Sequence, residues 1–327
     1  MRYGNVSLIG RTNVGKSTFL NRALGQALAI TSPLPQTTRD ALLGVAQHGE
    51  AQIAFIDTPG LHRPRTELGK RMNSAAVDAL RSADLIVFVT DAWDKLPAQV
   101  GKSAWTGPAA AIDSPWIRPG DKDVLAALGA VKTPVILVIN KVDLARDKAQ
   151  LLPMLEAYSK VFEFAAMVPA SMRRDIGVEV LLDEIAGRLP EGPQGYEADV
   201  LTNRPVLFFV REYVREAVMN QLRSEVPHAV AVTIEQADET EKLLRLSATI
   251  HVEKLGQRKI VVGKAGAQIK AIGMAARQRI ESLVEKQVHL ELFVRITDEW
   301  KNMPRMLAEM GYEQMPGLEK FEVPDGN

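Results

Sequence analysis

The 327-residue sequence contains no cysteine. This excludes a disulfide framework and a thiolate metal centre, and it fits a reducing cytoplasm. No apolar run approaches the roughly 18 residues that a membrane span needs, and the chain enters an apolar run at once, which leaves no room for a signal peptide. Basic and acidic side chains both number 40, so the formal net charge is zero and any basic surface must be local. We therefore expect a cytoplasmic protein without a transmembrane segment.

The length and the apolar pattern predict two domains. Continuous Val/Ile/Leu runs alternate with amphipathic helical stretches in the first half, which is typical of a mostly parallel sheet with helices on both faces. A segment rich in Pro and Gly, 190–195, interrupts this pattern and predicts a linker. Beyond it, the order helix, two strands, helix and strand predicts a smaller α+β domain. The predicted strands are 3–9, 52–56, 85–90, 135–140, 165–169, 229–236, 243–252 and 288–296, and the predicted helices include 67–81, 147–161, 178–189, 206–222 and 267–283.

Eight residues between the first apolar run and a helical stretch form the pattern G-x-x-x-x-G-K-S. In this strand-to-helix context the pattern predicts a phosphate loop, whose backbone N–H groups surround the phosphates of a nucleoside triphosphate. We expect Lys16 to reach the transferred phosphate and the Ser17 hydroxyl to bind Mg²⁺. The predicted nucleotide contacts of this loop are Gly10, Arg11, Thr12, Asn13, Val14, Gly15, Lys16, Ser17 and Thr18.

The tetrapeptide Asn-Lys-Val-Asp at 140–143 indicates guanine rather than adenine. The Asp143 carboxylate can accept the N1–H and N2–H donors of guanine, whereas adenine would leave it unpaired. We expect Asn140 to steady the loop, the stem of Lys141 to cover the base, and Ser171 to complete the pocket through backbone contacts.

The tetrapeptide Asp57, Thr58, Pro59 and Gly60 predicts a third element of the nucleotide site. Asp57 ends a strand, where it can hold Mg²⁺ through water, and the N–H of Gly60 can sense the γ-phosphate. The segment 37–40 lies between the first helix and the next strand, as a mobile switch loop would. We favour Thr38 over Thr37 as its Mg²⁺ ligand, so the predicted metal ligands are Ser17, Thr38 and Asp57.

These elements in this order resemble the translation-factor-like class of small GTPases, and within it the Era/TrmE group. Leu61 stands where Ras-like proteins have a glutamine that orients water, and leucine cannot do so. Potassium-dependent members of the group carry an asparagine at the position of Asn13. The resemblance therefore implies a K⁺ ion that bridges the phosphates and neutralises developing charge, while the alternative is that Asn13 is a simple turn residue. The predicted catalytic residues are Lys16, Asn13, Thr38 and Gly60.

The sequence IVVGKAGAQI at 260–269 matches the (V/I)-I-G-x-x-G-x-x-I core of a KH domain. Its two glycines let the loop approach the backbone of single-stranded RNA. Basic residues outnumber acidic ones around it, which predicts the local patch that the zero net charge conceals. The predicted RNA contacts are Arg258, Lys259, Gly263, Lys264, Ala265, Gly266 and Lys270, and the patch also includes Lys254, Arg277 and Arg279.

From its first strand to about Tyr312 the chain resembles the bacterial Era family. This resemblance implies an α/β P-loop GTPase domain at 1–190, a linker at 191–202 and an α+β type II KH domain at 203–327. It implies a slow GTP hydrolase that binds the 3′ end of 16S ribosomal RNA and acts in 16S rRNA processing and 30S subunit biogenesis. The implied cofactors are GTP/GDP, Mg²⁺ and K⁺. A monomer, with peripheral association at the cytoplasmic face of the inner membrane, is also implied.

Four features depart from the family pattern. Thr12 replaces a proline in the phosphate loop, Pro33-Leu34 replaces a basic pair, and Met172 stands where alanine is usual. The segment Pro97–Gly120, which carries Trp105 and Trp116, has no counterpart in the resemblance. It is either a surface insertion or a lid that binds a partner.

Two other functions are alternatives to that of a GTP-hydrolysing factor in 30S subunit biogenesis. One is an RNA-binding assembly chaperone for which GTP is only a conformational ligand. The other is a tRNA-modification GTPase like TrmE, against which the loop Gly263–Gly266 and the absence of TrmE's additional helical and folate-binding parts both argue.

Overall fold

The computed structural model describes residues 1–34, 37–61, 64–92, 111–145, 148–223 and 225–312. Most of the predicted insertion, 97–110 with Trp105, and the last part of the predicted KH domain, 313–327, therefore lie outside the described residues. In the part of the chain that is described, no helix is both long enough and apolar enough to cross a bilayer.

The first half of the chain forms one sheet with the strand order β2-β3-β1-β4-β5-β6. All neighbouring pairs are parallel except β2 and β3, which are antiparallel. The strands are β1 (Arg2–Ile9), β2 (Leu42–His48), β3 (Ala51–Asp57), β4 (Leu85–Asp91), β5 (Val135–Asn140) and β6 (Ala166–Pro169). The helices are α1 (Lys16–Leu24), α2 (Glu67–Arg81), α3 (Asp121–Leu128), α4 (Leu151–Ser159) and α5 (Val178–Ala186).

Helices cover both faces of this sheet, which is why its central strands are apolar along their length. Successive strand residues enter different cores: Leu8 joins the core under α1 and α5, and Ile9 joins the core under α2, α3 and α4. β2 was not among the predicted strands. Its apolar run is interrupted by Gly44, where a side chain would lie 2.7 Å from Leu20 of α1.

The second half forms a smaller sheet with the order β7-β8-β9, in which β7 and β8 are antiparallel and β8 and β9 parallel. Its elements are α6 (Val206–Gln221), β7 (Ala231–Glu239), β8 (Leu243–Val252), α7 (Leu255–Val262), α8 (Ala267–Val284), β9 (Gln287–Ile296) and α9 (Pro304–Glu309). The pattern did not predict α7, whose last three residues, Ile260 to Val262, are β-branched and favour a strand.

Candidate nucleotide site and RNA-binding surface

Five loops meet at the carboxyl edge of the large sheet and enclose a cleft of about 610 Å³, a size typical of small-molecule sites. A cleft at this edge is expected for an open parallel sheet. Eleven of the residues predicted to bind nucleotide line it, together with Thr38, a predicted Mg²⁺ ligand; the eleven are Thr12, Asn13, Gly15, Lys16, Ser17, Thr18, Gly60, Asn140, Lys141, Asp143 and Ser171.

The remaining predicted residues lie beneath or beside the cleft. Gly10, Val14, Asp57, Thr58 and Pro59 are buried. The guanidinium of Arg11 pairs with Asp91 and Asp121 and does not line the cleft. The Thr58 hydroxyl donates a hydrogen bond to the carbonyl of Leu8 at 2.7 Å, so this side chain joins two strands rather than facing the cleft.

Asn140 connects the loops that form the cleft. Its Nδ2 donates to the carbonyl of Val14 at 2.6 Å, and its Oδ1 accepts from the backbone N of Met172 at 3.0 Å. Gly15 has φ 109°, and a Cβ there would lie 2.2 Å from the Asn140 amide, so only glycine fits. The contact with Met172 uses its backbone, so a methionine at this position is compatible with the loop.

The Lys16 ammonium lies inside the phosphate loop. The side chain is buried, and Nζ donates to the carbonyls of Gly10 at 3.2 Å and Arg11 at 2.9 Å. Burial lowers the pKa of Lys16 to about 8, although the charge of Asp57 acts in the opposite direction. A phosphate group would supply the anion that this cation needs.

Three oxygen-bearing side chains, those of the predicted Mg²⁺ ligands, lie close together beside the phosphate loop. Asp57 Oδ2 accepts from Ser17 Oγ at 2.6 Å and from Thr38 Oγ1 at 3.4 Å, and the two hydroxyls lie 2.9 Å apart. Asp57 Oδ1 is buried without a hydrogen-bond partner in the described part of the chain, and burial raises the pKa of this carboxyl. The hydroxyl of Thr37 turns away and donates to the carbonyl of Leu34 at 2.7 Å.

The base end of the cleft contains Asp143 and Ser171. The hydroxyl of Ser171 donates to Asp143 Oδ1 at 2.5 Å, a side-chain contact in addition to the predicted backbone role. Lys141 Nζ reaches the phosphate loop and donates to the carbonyl of Asn13 at 2.7 Å. The loop 140–144, called the guanine loop below, and the phosphate loop are therefore joined directly.

Asn13 and Leu61 occupy the positions that motivated the potassium prediction. Asn13 adopts φ 62°, and its Nδ2 donates to the carbonyl of Pro33 at 2.6 Å, so its side chain points to the segment that leads into the switch. Leu61 packs against the core beneath α2, α3 and α4. Its side chain is therefore partly buried, and leucine has no polar group that could orient water.

The glycine loop of the second domain lies between α7 and α8, and the predicted cations Arg258, Lys259, Lys264 and Lys270 are all exposed. Gly263 has φ 73°, and a Cβ there would lie 2.5 Å from Gln268 Cβ, so the turn requires glycine. Exposed apolar side chains lie on the flanking helices: Leu255, Ile260 and Met274.

One member of the predicted basic patch belongs elsewhere. Arg279 forms an ion pair with Glu216 at 2.8 Å and donates to the carbonyl of Ala27 in the first domain at 2.8 Å. It stabilises the contact between the two domains and does not extend the surface around the glycine loop.

Comparison with known proteins identifies both halves of the chain. Residues 5–141 match the family described as 50S ribosome-binding GTPase, and residues 225–301 match the KH domain. GTPase Era of Ruminiclostridium cellulolyticum is 40% identical over 311 residues, which cover 95% of this chain and 97% of that protein. GTPase Era of Geotalea uraniireducens is 41% identical over 313 residues, with coverages of 95% and 98%. The chain belongs to the Era family of GTPases.

Solved Era structures share the whole fold. A point variant of Aquifex aeolicus Era bound to GDP·AlF4⁻ superposes with a TM-score of 0.85 at 33% identity, over 95% of this chain and 99% of that one. An Era structure in complex with MgGDPNP and nucleotides 1506–1542 of 16S ribosomal RNA gives the same values. The predicted family, the P-loop GTPase fold followed by a KH domain, and GTP hydrolysis are confirmed. Era membership also argues against the TrmE-like alternative.

In this Era-family GTPase, the switch segment contacts the second domain on both sides of Thr38. Before it, Arg215 of α6 donates to the carbonyl of Thr37 and also pairs with Glu212. After it, Arg39 donates to the carbonyl of Val230 at 2.6 Å. Sequence reasoning missed these contacts because the partners are 178 and 191 residues apart, and no local pattern links them.

The cation of Arg39 is also enclosed by aromatic rings. Its guanidinium carbon lies 5.5 Å from the ring centroid of Trp300 and 5.8 Å from that of Tyr312, within the range of cation–π attraction. The next residue, Asp40, pairs with Arg211 at 2.9 Å. The switch is thus fixed to the second domain by charged groups.

Proposed function

We propose that this GTPase is a ribosome-assembly factor that binds the 3′ end of 16S rRNA through its KH domain and acts in 16S rRNA processing and 30S subunit biogenesis. The bound nucleotide controls the contacts between the switch segment and the KH domain. The observation that carries this proposal is the double attachment of the switch, through Arg215 before Thr38 and through Arg39 after it. The Era relative in complex with a 16S rRNA segment supports the choice of RNA.

We further propose that the cleft binds GTP and GDP with Mg²⁺, through the predicted residues that line it. Ser17, Thr38 and Asp57 would hold the ion, because their oxygens converge and one buried Asp57 oxygen lacks a partner in the described residues. When bound, Mg²⁺ neutralises charge that develops on the phosphates. Lys16 would contact the transferred phosphate, and Asp143 would accept the two guanine donors.

Potassium dependence is proposed for the hydrolytic step. The side chain of Asn13 lies against the Pro33 carbonyl, so two oxygen-bearing groups adjoin the phosphate loop. Leu61 is packed against the core and offers no group to orient water. A monovalent cation at Asn13 would supply the positive charge that other GTPases obtain from an arginine.

We propose domain limits of 1–190, 191–202 and 203–327. In support, α5 ends at Ala186 and α6 begins at Val206. Between them the chain is fixed to the first domain, where Gln52 accepts from the backbone N of Gly195 and of Tyr196, each at 2.9 Å. A monomeric state and peripheral association with the inner membrane remain expectations from the family resemblance.

The test of RNA binding is the double variant Lys264→Asp/Ala265→Asp. Both residues are exposed, and Ala265 has φ 51°, a conformation that Asp adopts more readily than Ala, so we expect the fold to persist. Two carboxylates against the RNA backbone should abolish binding to the 3′ end of 16S rRNA, measured by fluorescence anisotropy. GTP hydrolysis without RNA should stay close to wild type, and any stimulation by RNA should vanish.

The matched control compares the single variants Lys264→Asp and Lys242→Asp. Lys242 is also exposed but lies in the turn between β7 and β8, so the change in net charge is identical. Only Lys264→Asp should weaken RNA binding. Wild-type RNA affinity in the double variant would show that the glycine loop does not bind this RNA.

A second candidate function is an assembly chaperone in which GTP acts mainly as a conformational ligand. The packed position of Leu61 favours it, because this position offers no polar group that could orient water for efficient hydrolysis. Single-turnover hydrolysis with and without 16S rRNA separates the two. A rate that RNA raises supports the GTPase cycle, and an unchanged slow rate supports the chaperone.

A further inference from the structure

The carboxyl end of the predicted insertion is packed against the GTPase domain. Trp116 lies against the core beneath α2, α3 and α4, and Ile117 is 3% exposed. The chain then enters α3 at Asp121, which is fully buried. The described part of the insertion, 111–120, is therefore integral to the domain, unlike a loose surface loop.

This segment reaches the phosphate loop through Arg11. Arg11 Nε donates to Asp121 Oδ1 at 2.7 Å, and its Nη2 pairs with Asp91 at the end of β4. Asp121 is fixed in turn by the hydroxyls of Thr90 and Tyr158, each at 2.5 Å from its Oδ2. A Cβ on Gly120 would lie 2.4 Å from Arg11 Cδ, so the backbone of the insertion touches this side chain directly.

Asp91 connects the same segment to the guanine loop. Its Oδ2 accepts from Lys141 Nζ at 3.1 Å, and its Oδ1 lies 3.4 Å from Arg118 Nε. Arg118 also donates to the carbonyl of Ala92 at 2.6 Å. Burial alone would raise the pKa of Asp91, but Arg11, Arg118 and Lys141 together lower it, so this carboxylate is charged and shared by three loops.

We infer that Asp91, Arg118 and Asp121 are positioning residues that fix the phosphate loop and the guanine loop relative to each other. The end of the insertion thereby limits the rate of GDP release. Lys141 bonds both Asp91 and the Asn13 carbonyl, so moving Arg11 or Asp91 disturbs the base contact and the phosphate contact together. The inference rests on the proposed nucleotide site. It concerns retention of the product and not the chemical step.

The sharpest test is Gly120→Ala, with Gly129→Ala as its matched control. The two glycines flank α3 and have φ of −75° and −63°, which alanine adopts freely. A Cβ at Gly120 must displace Arg11, whereas a Cβ at Gly129 meets nothing nearer than 3.5 Å. The comparison therefore moves Arg11 without changing any charge.

Release of a fluorescent GDP analogue, chased with excess GDP, gives the rate directly. We expect it to rise about tenfold in Gly120→Ala and to match wild type in Gly129→Ala. Asp91→Asn keeps the shape of this side chain but removes its charge, and it should accelerate release as well. Single-turnover hydrolysis of GTP bound to Gly120→Ala should stay near wild type, and the far-UV circular dichroism spectrum of the nucleotide-free protein should match wild type, which shows that the fold persists.

Wild-type release from both Gly120→Ala and Asp91→Asn would overturn the inference. So would equal acceleration in Gly120→Ala and Gly129→Ala, because the effect would then come from α3 as a whole. These results are distinct from a failure of the proposed site, in which the wild-type protein would not retain the GDP analogue at all.

Discussion

The contact between Arg215 and the Thr37 carbonyl should favour GTP over GDP. Thr38, the next residue, faces Ser17 and Asp57. Its proposed role as a Mg²⁺ ligand requires that the ion and the γ-phosphate are both present. In Arg215→Lys the positive charge opposite Glu212 remains, but the planar fork that serves both partners is lost. A hydrogen bond from a charged donor contributes roughly 1.5–3 kcal/mol.

If the Thr37 contact stabilises only the triphosphate arrangement, its loss should weaken GDPNP·Mg²⁺ binding by about tenfold or more. GDP affinity should stay within about twofold, because GDP makes no γ-phosphate contact. Lysine is a better replacement for Arg215 than an uncharged residue such as methionine. Removing the charge would leave buried Glu212 without its main partner, at a cost of about 3–5 kcal/mol of stability.

Isothermal titration with GDPNP and with GDP, both in Mg²⁺, measures this difference. The control is Arg305→Lys on α9, an exposed arginine that pairs with Glu309 of its own helix; both nucleotides should bind to this variant normally. Because coupling is reciprocal, Arg215→Lys should also reduce the effect of GDPNP on RNA affinity. An equal loss for GDP and GDPNP, or no loss for either, would refute the idea that α6 stabilises the triphosphate form of the switch.

Three further predictions concern the nucleotide cleft. Asp143→Asn should weaken GTP by tenfold or more and improve xanthosine triphosphate, whose C2 oxygen needs a donor; unchanged GTP affinity would remove the guanine assignment. Hydrolysis should be faster in K⁺ than in Na⁺ at equal ionic strength, and Asn13→Ala should abolish the difference; equal wild-type rates in the two salts would rule out the ion. Bound phosphate should keep Lys16 protonated, whereas burial lowers its pKa to about 8 in the free protein, so GDP affinity should fall about fourfold from pH 7 to 8.5. Lys16→Arg, which stays charged, should give a flat profile even if its binding is weaker, and a flat wild-type profile would contradict the shifted pKa.

Local sequence patterns predicted the parts of the nucleotide cleft because these parts are short, contiguous loops at strand ends. The phosphate loop requires glycine at position 15, where a side chain would collide with Asn140, and this requirement is visible as a motif. The alternation of apolar runs and amphipathic stretches likewise predicted the parallel sheet, and Glu67–Arg81 and Leu243–Val252 have the predicted limits. The KH loop was predicted for the same reason, since its backbone demands Gly263.

Tertiary structure decided what depends on distant partners. The sequence left Thr37 and Thr38 as alternatives, and the fold brings only the Thr38 hydroxyl to Asp57. Arg279 looked like part of a basic surface, yet the packing of the two domains pairs it with Glu216.

Asp91 and its three ion pairs show most clearly what local sequence patterns do not predict. A single aspartate at the end of an apolar run carries no motif, and its three cationic partners come from different loops of the chain. Parallel strands bring the loops at their carboxyl ends together whatever their separation in sequence. Chemistry carried by adjacent residues was therefore predictable from the sequence, whereas chemistry assembled across strands required the fold.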